Sequence, residues 1–289
     1  MSARSFPAPA KLNLMLRIVG RRADGYHLLQ TVFRFIDHAD EVRLSVRADG
    51  EIRRTLDLPG VAADDDLTIR AARLLKAKTA TPLGADVELV KRLPLGAGLG
   101  GGSSDAATVL IALNRLWDTR LTREALQALA VQLGADVPVF VFGESAVGEG
   151  IGEVLTPIAL PPAWYVVLVP PVAVATARVF SHPDLKRDSK TIKIQGFSAS
   201  GSSEQSTEHS SQAAVNDMQE LVCRLYPEVA RHLDWLARHG EALMTGSGAA
   251  VFAGFESEAA ARSVLDVLPS DMSGFVARGL DRHPLRDLV

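Results

Sequence analysis

"LPLGAGLGGGSSDAATVLIAL", residues 93–113, decides how the rest of the chain is read. Five glycines fall between Gly96 and Gly102, followed by Ser103, Ser104, Asp105 and an apolar run. Glycine lets the backbone approach a ligand closely and turn successive N–H groups toward it, and a helix starting directly afterwards adds its positive end. The stretch therefore reads as a phosphate cradle. Gly96-Ala97-Gly98-Leu99-Gly100-Gly101 matches the G-x-G-x-x-G dinucleotide fingerprint, but that fingerprint needs a strand running straight into its first glycine. Here the strand candidate "VELV", residues 87–90, is separated from Gly96 by Lys91-Arg92-Leu93-Pro94-Leu95, and no convincing second strand with a ribose-binding acid follows. The lysine of G-x-x-x-x-G-K-[ST] is missing as well. What remains is a glycine loop opening into a helix expected to begin at Ser103, Ser104 or Asp105. The two serines either donate to phosphate or magnesium or simply cap the helix, and a glycine turn with only structural duties is the plain alternative.

The chain has 289 residues, enough for two domains or one large one, with 47% hydrophobic and 22% charged residues. That composition is ordinary for a globular protein with a sizeable core. A formal charge of -3 argues against a nucleic-acid partner. The single cysteine, Cys223, excludes an intrachain disulfide framework and a thiolate zinc site. No apolar stretch has the length of a membrane span and the first twenty residues lack a signal peptide's order, so a cytoplasmic location with no membrane partner is expected.

Around the loop, strands and helices alternate. Lys11 to Ile18 alternates as a strand, with Leu12, Leu14, Leu16 and Ile18 expected on one buried face and Lys11, Asn13, Met15 and Arg17 on the other. "EVRLSV" at 41–46 behaves likewise, and "VPVFVF" at 137–142 is expected to be a buried strand. Helical spacing runs from Leu67 to Leu75 after a run of aspartates, through Ala106 to Trp117, and from a Thr122 cap to Leu133. After Pro161-Pro162 the pattern restarts with the strand candidate "WYVVLV". An amphipathic stretch follows from Asn216 to His239, then strand–glycine loop–strand in "ALMTGSGAAVFAGF", a helix through Ala259–Leu268 and a strand at "GFVARGL". The expected class is α/β (α+β), with domains at 1–160 and 161–289. Residues 187–212, rich in serine and poor in apolar anchors, are expected to form a mobile surface loop.

"PLGAGLGGGSSDAA", residues 94–107, resembles the ATP-binding loop of the GHMP kinases, which phosphorylate small-molecule alcohols. "PAKLNLMLRI", "RRADGYHLLQTVF" and "LGADVPVFVFG" resemble the members of that family whose substrate carries a cytidine diphosphate, and "MTGSGAAVF" is similar to the family's C-terminal glycine motif. The likeness covers most of the chain. It implies an N-terminal domain like domain 2 of ribosomal protein S5 and a ferredoxin-like C-terminal domain, with ATP and Mg2+ as cofactors. ATP would lie on Pro94, Leu95, Gly96, Ala97, Gly98, Leu99, Gly100, Gly101, Gly102, Ser103 and Ser104. The reaction implied is phosphorylation of the 2-hydroxyl of a cytidine-diphosphate derivative of methylerythritol, in the non-mevalonate route to isopentenyl diphosphate. The magnesium ligands are not assigned, and a monomer or homodimer fits equally.

The same resemblance gives roles to residues whose chemistry already suits them. Lys11 shares a strand face with Asn13; an ammonium there can neutralise charge on a transferring phosphoryl group, and Lys11 aligns with the family's catalytic lysine. Asn13 would orient substrate beside it. Asp136, in a Gly-Ala-Asp turn, would be the base that takes the proton of the attacking hydroxyl. Tyr26 and His27 follow a turn and suit a flat base, Tyr26 to stack and His27 to hydrogen-bond its polar edge, with Phe180 as a second aromatic that would sandwich a cytosine. Thr245, Gly246, Ser247 and Gly248 would form a second wall, although a tight hairpin explains them as well. Asp66 departs from the asparagine expected of relatives, which bears on contacts to adenine. A kinase acting on another alcohol, such as homoserine or mevalonate, or a nucleotide-binding protein without turnover, are the alternatives.

Overall fold

The computed structural model describes residues 3–194 and 214–289. Its backbone is a ten-stranded sheet with helices against it. The spine is a long antiparallel hairpin of β1 (Arg4–Arg21) and β2 (His27–Arg47), far longer than the two short strands expected there. β3 (Ile52–Arg54) pairs in parallel with β4 (Gly84–Val90), and β4 pairs antiparallel with β2; β5 (Ala146–Glu149) pairs with the same edge of β2 nearer its start, and β6 (Val154–Pro157) pairs with β5. Four helices cover one face of this half: α1 (Leu67–Thr79), α2 (Gly101–Leu116), α3 (Arg123–Ala130) and α4 (Val137–Phe142). Their apolar sides meet Phe6, Ala8, Phe33, Phe35, Val42 and Leu44 of the sheet in one buried cluster.

The expected boundary near residue 160 falls in the connection between β6 and β7 (Trp164–Leu168). Beyond it come α5 (Thr176–Ser181), α6 (Gln219–Leu225), α7 (Pro227–Leu236), β8 (Ala242–Met244), β9 (Val251–Phe255), α8 (Glu258–Leu265) and β10 (Gly274–Leu280). The strand order β10-β7-β9-β8, all antiparallel, is that of a βαββαβ ferredoxin-like unit. β10 also pairs with β2 through Gly279–Ile36 and Leu280–Phe35, so one sheet runs through both halves.

Two sequence expectations are corrected. "VPVFVF" is helix α4, not a strand. A six-residue, wholly apolar run carries no periodicity to separate a buried strand from a buried helix, and here Pro138 in the first turn and a left-handed Gly143 after the last settle it as helical. In β1 the alternation breaks at a bulge: Asn13 pairs with Phe33 but Met15 pairs with Val32, leaving Leu14 as the extra residue. The phase flips there, so Leu16 and Ile18 join the face of Lys11 and Asn13, while Met15 joins Leu12 in the opposite cluster. Both faces are buried, and Lys11 and Asn13 are each 2% exposed.

The second half of β2, the residue after β4 and the first turns of α2 are tied by a buried charge cluster. Lys91 donates to Asp40 and, at 2.9 Å, to Asp105, while Asp40 also accepts from the backbone N–H groups of Arg92 and Leu93. One ammonium between two carboxylates leaves Asp105 poorly compensated: its Oδ1 is buried without a hydrogen-bond partner. Burial, chiefly, and the charge of Asp40 push Asp105 up from 3.8 to about 8, against the pull of Lys91. Lys91 is in turn held above its ordinary range by Asp105 and Asp40, although burial opposes this. Between about pH 4 and pH 8 the folded chain thus keeps a proton that the unfolded chain has lost, so this group's contribution to stability is full below pH 4 and drains away as pH rises through 8. Asp105→Asn removes that titration. Urea midpoints of the wild type should fall relative to those of the variant from pH 5 to pH 9, and parallel midpoints would show that Asp105 carries an ordinary carboxylate charge.

Candidate active site

A cavity of about 780 Å³ opens between the glycine loop, the α5 segment, the start of β2 and the loop between β8 and β9. Residues 94–103 all line it, as do Lys11, Asn13, Tyr26, His27, Asp136, Phe180, Gly246 and Ser247. Residues separated by more than two hundred positions in the sequence therefore face one space.

The glycine loop is held in shape by its backbone. Lys11 N–H donates to the carbonyl of Leu99 at 2.9 Å, and Ala250 N–H to that of Ala97 at 3.0 Å. α2 starts at Gly101 with Gly100 as its left-handed N-cap, two residues earlier than the serines suggested. No side chain caps it, which leaves the first N–H groups of the helix available to a ligand. Gly98 has φ +76° and sits so close to the second glycine loop that a Cβ would lie 2.3 Å from the Thr245 carbonyl oxygen. At Gly100, φ +72°, a Cβ would press on the Lys11 stem and Phe140 at 3.0 Å. Of the residues expected in the cradle, Ser104 does not line the cavity; it is buried, and its Oγ has no partner.

Lys11 and Asp136 meet, with Nζ 3.3 Å from Oδ2. The lysine is buried and the aspartate 38% exposed, so the pair has one dry and one wet end. Asp136 stands at the N-cap position of α4 yet makes no capping bond, which leaves its carboxylate free for the cavity. Asn13 tethers the ammonium: its Oδ1 accepts from Lys11 Nζ at 2.5 Å and its Nδ2 donates to Thr31 Oγ1 at 2.8 Å. With both ends of its amide engaged, Asn13 holds Lys11 in place. The ring of Phe33 lies beside the same ammonium, 5.9 Å from Nζ.

The second glycine loop packs onto the first. Thr245 Oγ1 accepts from Asn13 N–H at 3.0 Å, and Asn216 Nδ2 donates to the carbonyls of Met244 and Gly246 at 2.7 and 2.8 Å. Ser247 pairs with Thr176 at 2.7 Å. Thr245 and Gly248 shape the loop from behind rather than lining the cavity.

At the far end, the His27 and Phe180 rings stack on each other, centroids 4.7 Å apart, and Tyr26 is 59% exposed. Burial first, then the cations of Arg187 and Arg21, keep His27 below its ordinary pKa and so neutral. Asp66 caps α1, its Oδ1 accepting from Thr68 N–H at 2.9 Å, and its neighbour Leu67 rather than Asp66 itself lines the cavity. Lys91, Asn216 and Arg187 were missed as site-shaping residues; none sits in a motif, and each acts through a partner far away in sequence. Residues 187–194 of the expected mobile loop are anchored, with Ser189 N–H on the carbonyl of Ile18 and Ile192 N–H on Gln30 Oε1, both at 3.0 Å, and residues 195–212 lie outside the described residues. No helix among the described residues is long and apolar enough to cross a membrane.

Comparison with known proteins agrees with this geometry. Residues 66–144 match the N-terminal domain of the GHMP kinases and residues 204–274 their C-terminal domain. The chain is 60% identical over 287 residues to the 4-diphosphocytidyl-2-C-methyl-D-erythritol kinase of Thiobacillus denitrificans, covering 99% of both chains. It is 57% identical over 288 residues to the protein of that name from Nitrosospira multiformis, covering 99% of this chain and 94% of the other. A crystal structure of 4-(cytidine 5'-diphospho)-2C-methyl-D-erythritol kinase superposes with a TM-score of 0.79 at 33% identity, over 96% of this chain and 99% of that one. With such full-length similarity added to a shared cavity fed by both glycine loops, the chain belongs to the GHMP kinases.

Proposed function

We propose that the chain transfers the γ-phosphoryl group of ATP to the 2-hydroxyl of 4-diphosphocytidyl-2-C-methyl-D-erythritol, a step of the non-mevalonate route to isopentenyl diphosphate. The observation that carries this reading is the Lys11–Asp136 pair, 3.3 Å apart, at a cavity walled by an uncapped helix N-terminus and a glycine loop.

The triphosphate lies on residues 94–103, where backbone N–H groups and the positive end of α2 neutralise it. The hydroxyl oxygen attacks the γ-phosphorus as its proton passes to the Asp136 carboxylate, and the bond to ADP breaks on the opposite side. Lys11, held by Asn13, supplies a fixed positive charge to the transferring group. A preorganised charge of this kind loses nothing to solvent reorganisation during the step, which is why it acts more strongly than the same ammonium in water. Tyr26, His27 and Phe180 hold the cytosine ring, and Gly246 and Ser247 close the wall facing the phosphates, with Thr245 and Gly248 shaping that loop from behind.

The donor set fits Mg2+ carried chiefly by the nucleotide. No group of three His, Cys, Asp or Glu side chains forms a metal cage among the described residues, and Mg2+ in phosphoryl-transfer sites takes only one or two protein oxygens. The Ser103 hydroxyl and the Asp136 carboxylate, both on the cavity lining, are the oxygens that would hold it. When bound it adds charge neutralisation on the β- and γ-phosphate oxygens. The same reading places the protein in the cytoplasm as a monomer or homodimer without nucleic-acid or membrane partners, with residues 1–160 as the ATP-binding N-terminal domain and 161–289 as the C-terminal domain of the family.

The test is a coupled ADP-release assay with the cytidyl substrate, homoserine and mevalonate side by side. Turnover confined to the cytidyl compound is expected; preference for another alcohol would transfer the site to that substrate. Asp136→Asn should lower kcat by about 10²–10⁴-fold while leaving ATP affinity within about twofold, and unchanged turnover would remove Asp136 from the role of base. Lys11→Met should lower kcat by about 10²–10³-fold. Gly98→Ala must force a side chain into left-handed backbone against the Thr245 carbonyl. That variant should lose about 1 kcal/mol or more of stability and bind ATP several-fold more weakly, read by calorimetric melting and titration.

A further inference from the structure

Arg187 lies outside every motif, yet its guanidinium uses all five of its N–H donors. Nε donates to His27 Nε2 at 3.0 Å. Nη2 donates to the carbonyls of Phe180 and His182 at 2.9 and 2.7 Å, and Nη1 to those of Leu185 and Pro183 at 2.9 and 3.4 Å. Four of the five acceptors belong to the last turn of α5 and the residues after it. The fifth is the imidazole at the start of β2, which stacks on Phe180.

The contact with His27 has a chemical consequence. An arginine nitrogen can only donate, so His27 Nε2 must accept and carries no proton. The neutral ring then has its proton on Nδ1, and that atom bonds to no other group among the described residues while the ring lines the cavity. Toward a ligand, His27 is therefore a hydrogen-bond donor and not an acceptor. A cytosine ring offers a bare nitrogen at N3; a uracil ring carries N–H there. Donor meets acceptor in the first case and donor meets donor in the second. The opposite tautomer, with Nδ1 bare, would reverse the match.

We propose that Arg187 is a positioning residue that fixes the Nδ1–H tautomer of His27, and thereby sets the site's preference for a cytosine-type over a uracil-type nucleoside diphosphate. This rests on the cytidyl reading given above for its ligand, but not for the tautomer. The neutral state it requires agrees with the lowered pKa of His27, to which burial contributes most and then Arg187 and Arg21.

The test uses the full-length protein labelled with ¹⁵N-histidine, alone and with cytidine 5'-diphosphate or uridine 5'-diphosphate as probes. Ring-nitrogen shifts of wild type should show the proton on Nδ1; a proton on Nε2 overturns the proposal with no variant needed. In Arg187→Gln the Nδ1–H form should give way to a mixture, and the ratio of cytidine to uridine diphosphate affinities should fall about tenfold, the worth of one such hydrogen bond. Arg187→Lys, which keeps a donor for Nε2, should restore most of that ratio. A mere loosening of α5 would weaken both nucleotides together and leave the tautomer unchanged, and that result overturns the assignment. If wild type shows the Nδ1 proton but binds both nucleotides equally, the clamp stands, while the specificity claim and the cytidyl reading fall.

Discussion

Everything at this site depends on two backbones touching where no side chain fits. Gly98 of the first loop lies against the carbonyls of Thr245 and Gly248, and Gly246 of the second lies against the carbonyl of Gly98. Because neither contact includes a Cβ, the halves approach closely enough for Ala250 N–H to bond to Ala97 and for Asn13 N–H to reach Thr245. That approach buries Lys11. A buried ammonium is costly unless it is paired, and here the carboxylate of Asp136, the amide oxygen of Asn13 and the Phe33 ring all lie against it and hold it in place. Loop contact, lysine burial and site electrostatics are one arrangement.

The chemistry was more legible in the sequence than the geometry behind it. Residues 94–103 were readable because glycine spacing before an apolar helix has few uses, and Lys11 with Asn13 because a period of two puts them on one side. The alternation failed after Asn13 since a bulge leaves no mark in composition. It needs only one extra residue, and Leu14 looks like any other leucine. α4 failed for a related reason: burial on all sides removes the polar positions that reveal a helix. Lys91, Asn216 and Arg187 were invisible because their meaning lies wholly in partners that the fold brings near. A single lysine after a strand says nothing until Asp40 and Asp105 stand around it.

The two ends of the cavity solve different physical problems. On the proposed reading, the groups around Lys11 stabilise charge that moves, and they are buried, rigid side chains and backbone dipoles. On the same reading, the groups around His27 distinguish flat rings of nearly equal size, where apolar contact discriminates poorly and a fixed donor discriminates well. The stacked His27 and Phe180 rings give area without direction, and the Arg187 contact supplies the direction.

The position of β10 has its own consequence for how the chain is made. It is the last strand in the sequence but lies between β2 and β7, pairing with both. During synthesis β2 and β7 therefore emerge with facing edges that have nothing between them, and an open edge is a template for association with another chain. The sheet linking the two halves closes only when residues 274–280 have left the ribosome. Until then the growing polypeptide has the contacts between its two glycine loops, but no continuous sheet running between the halves.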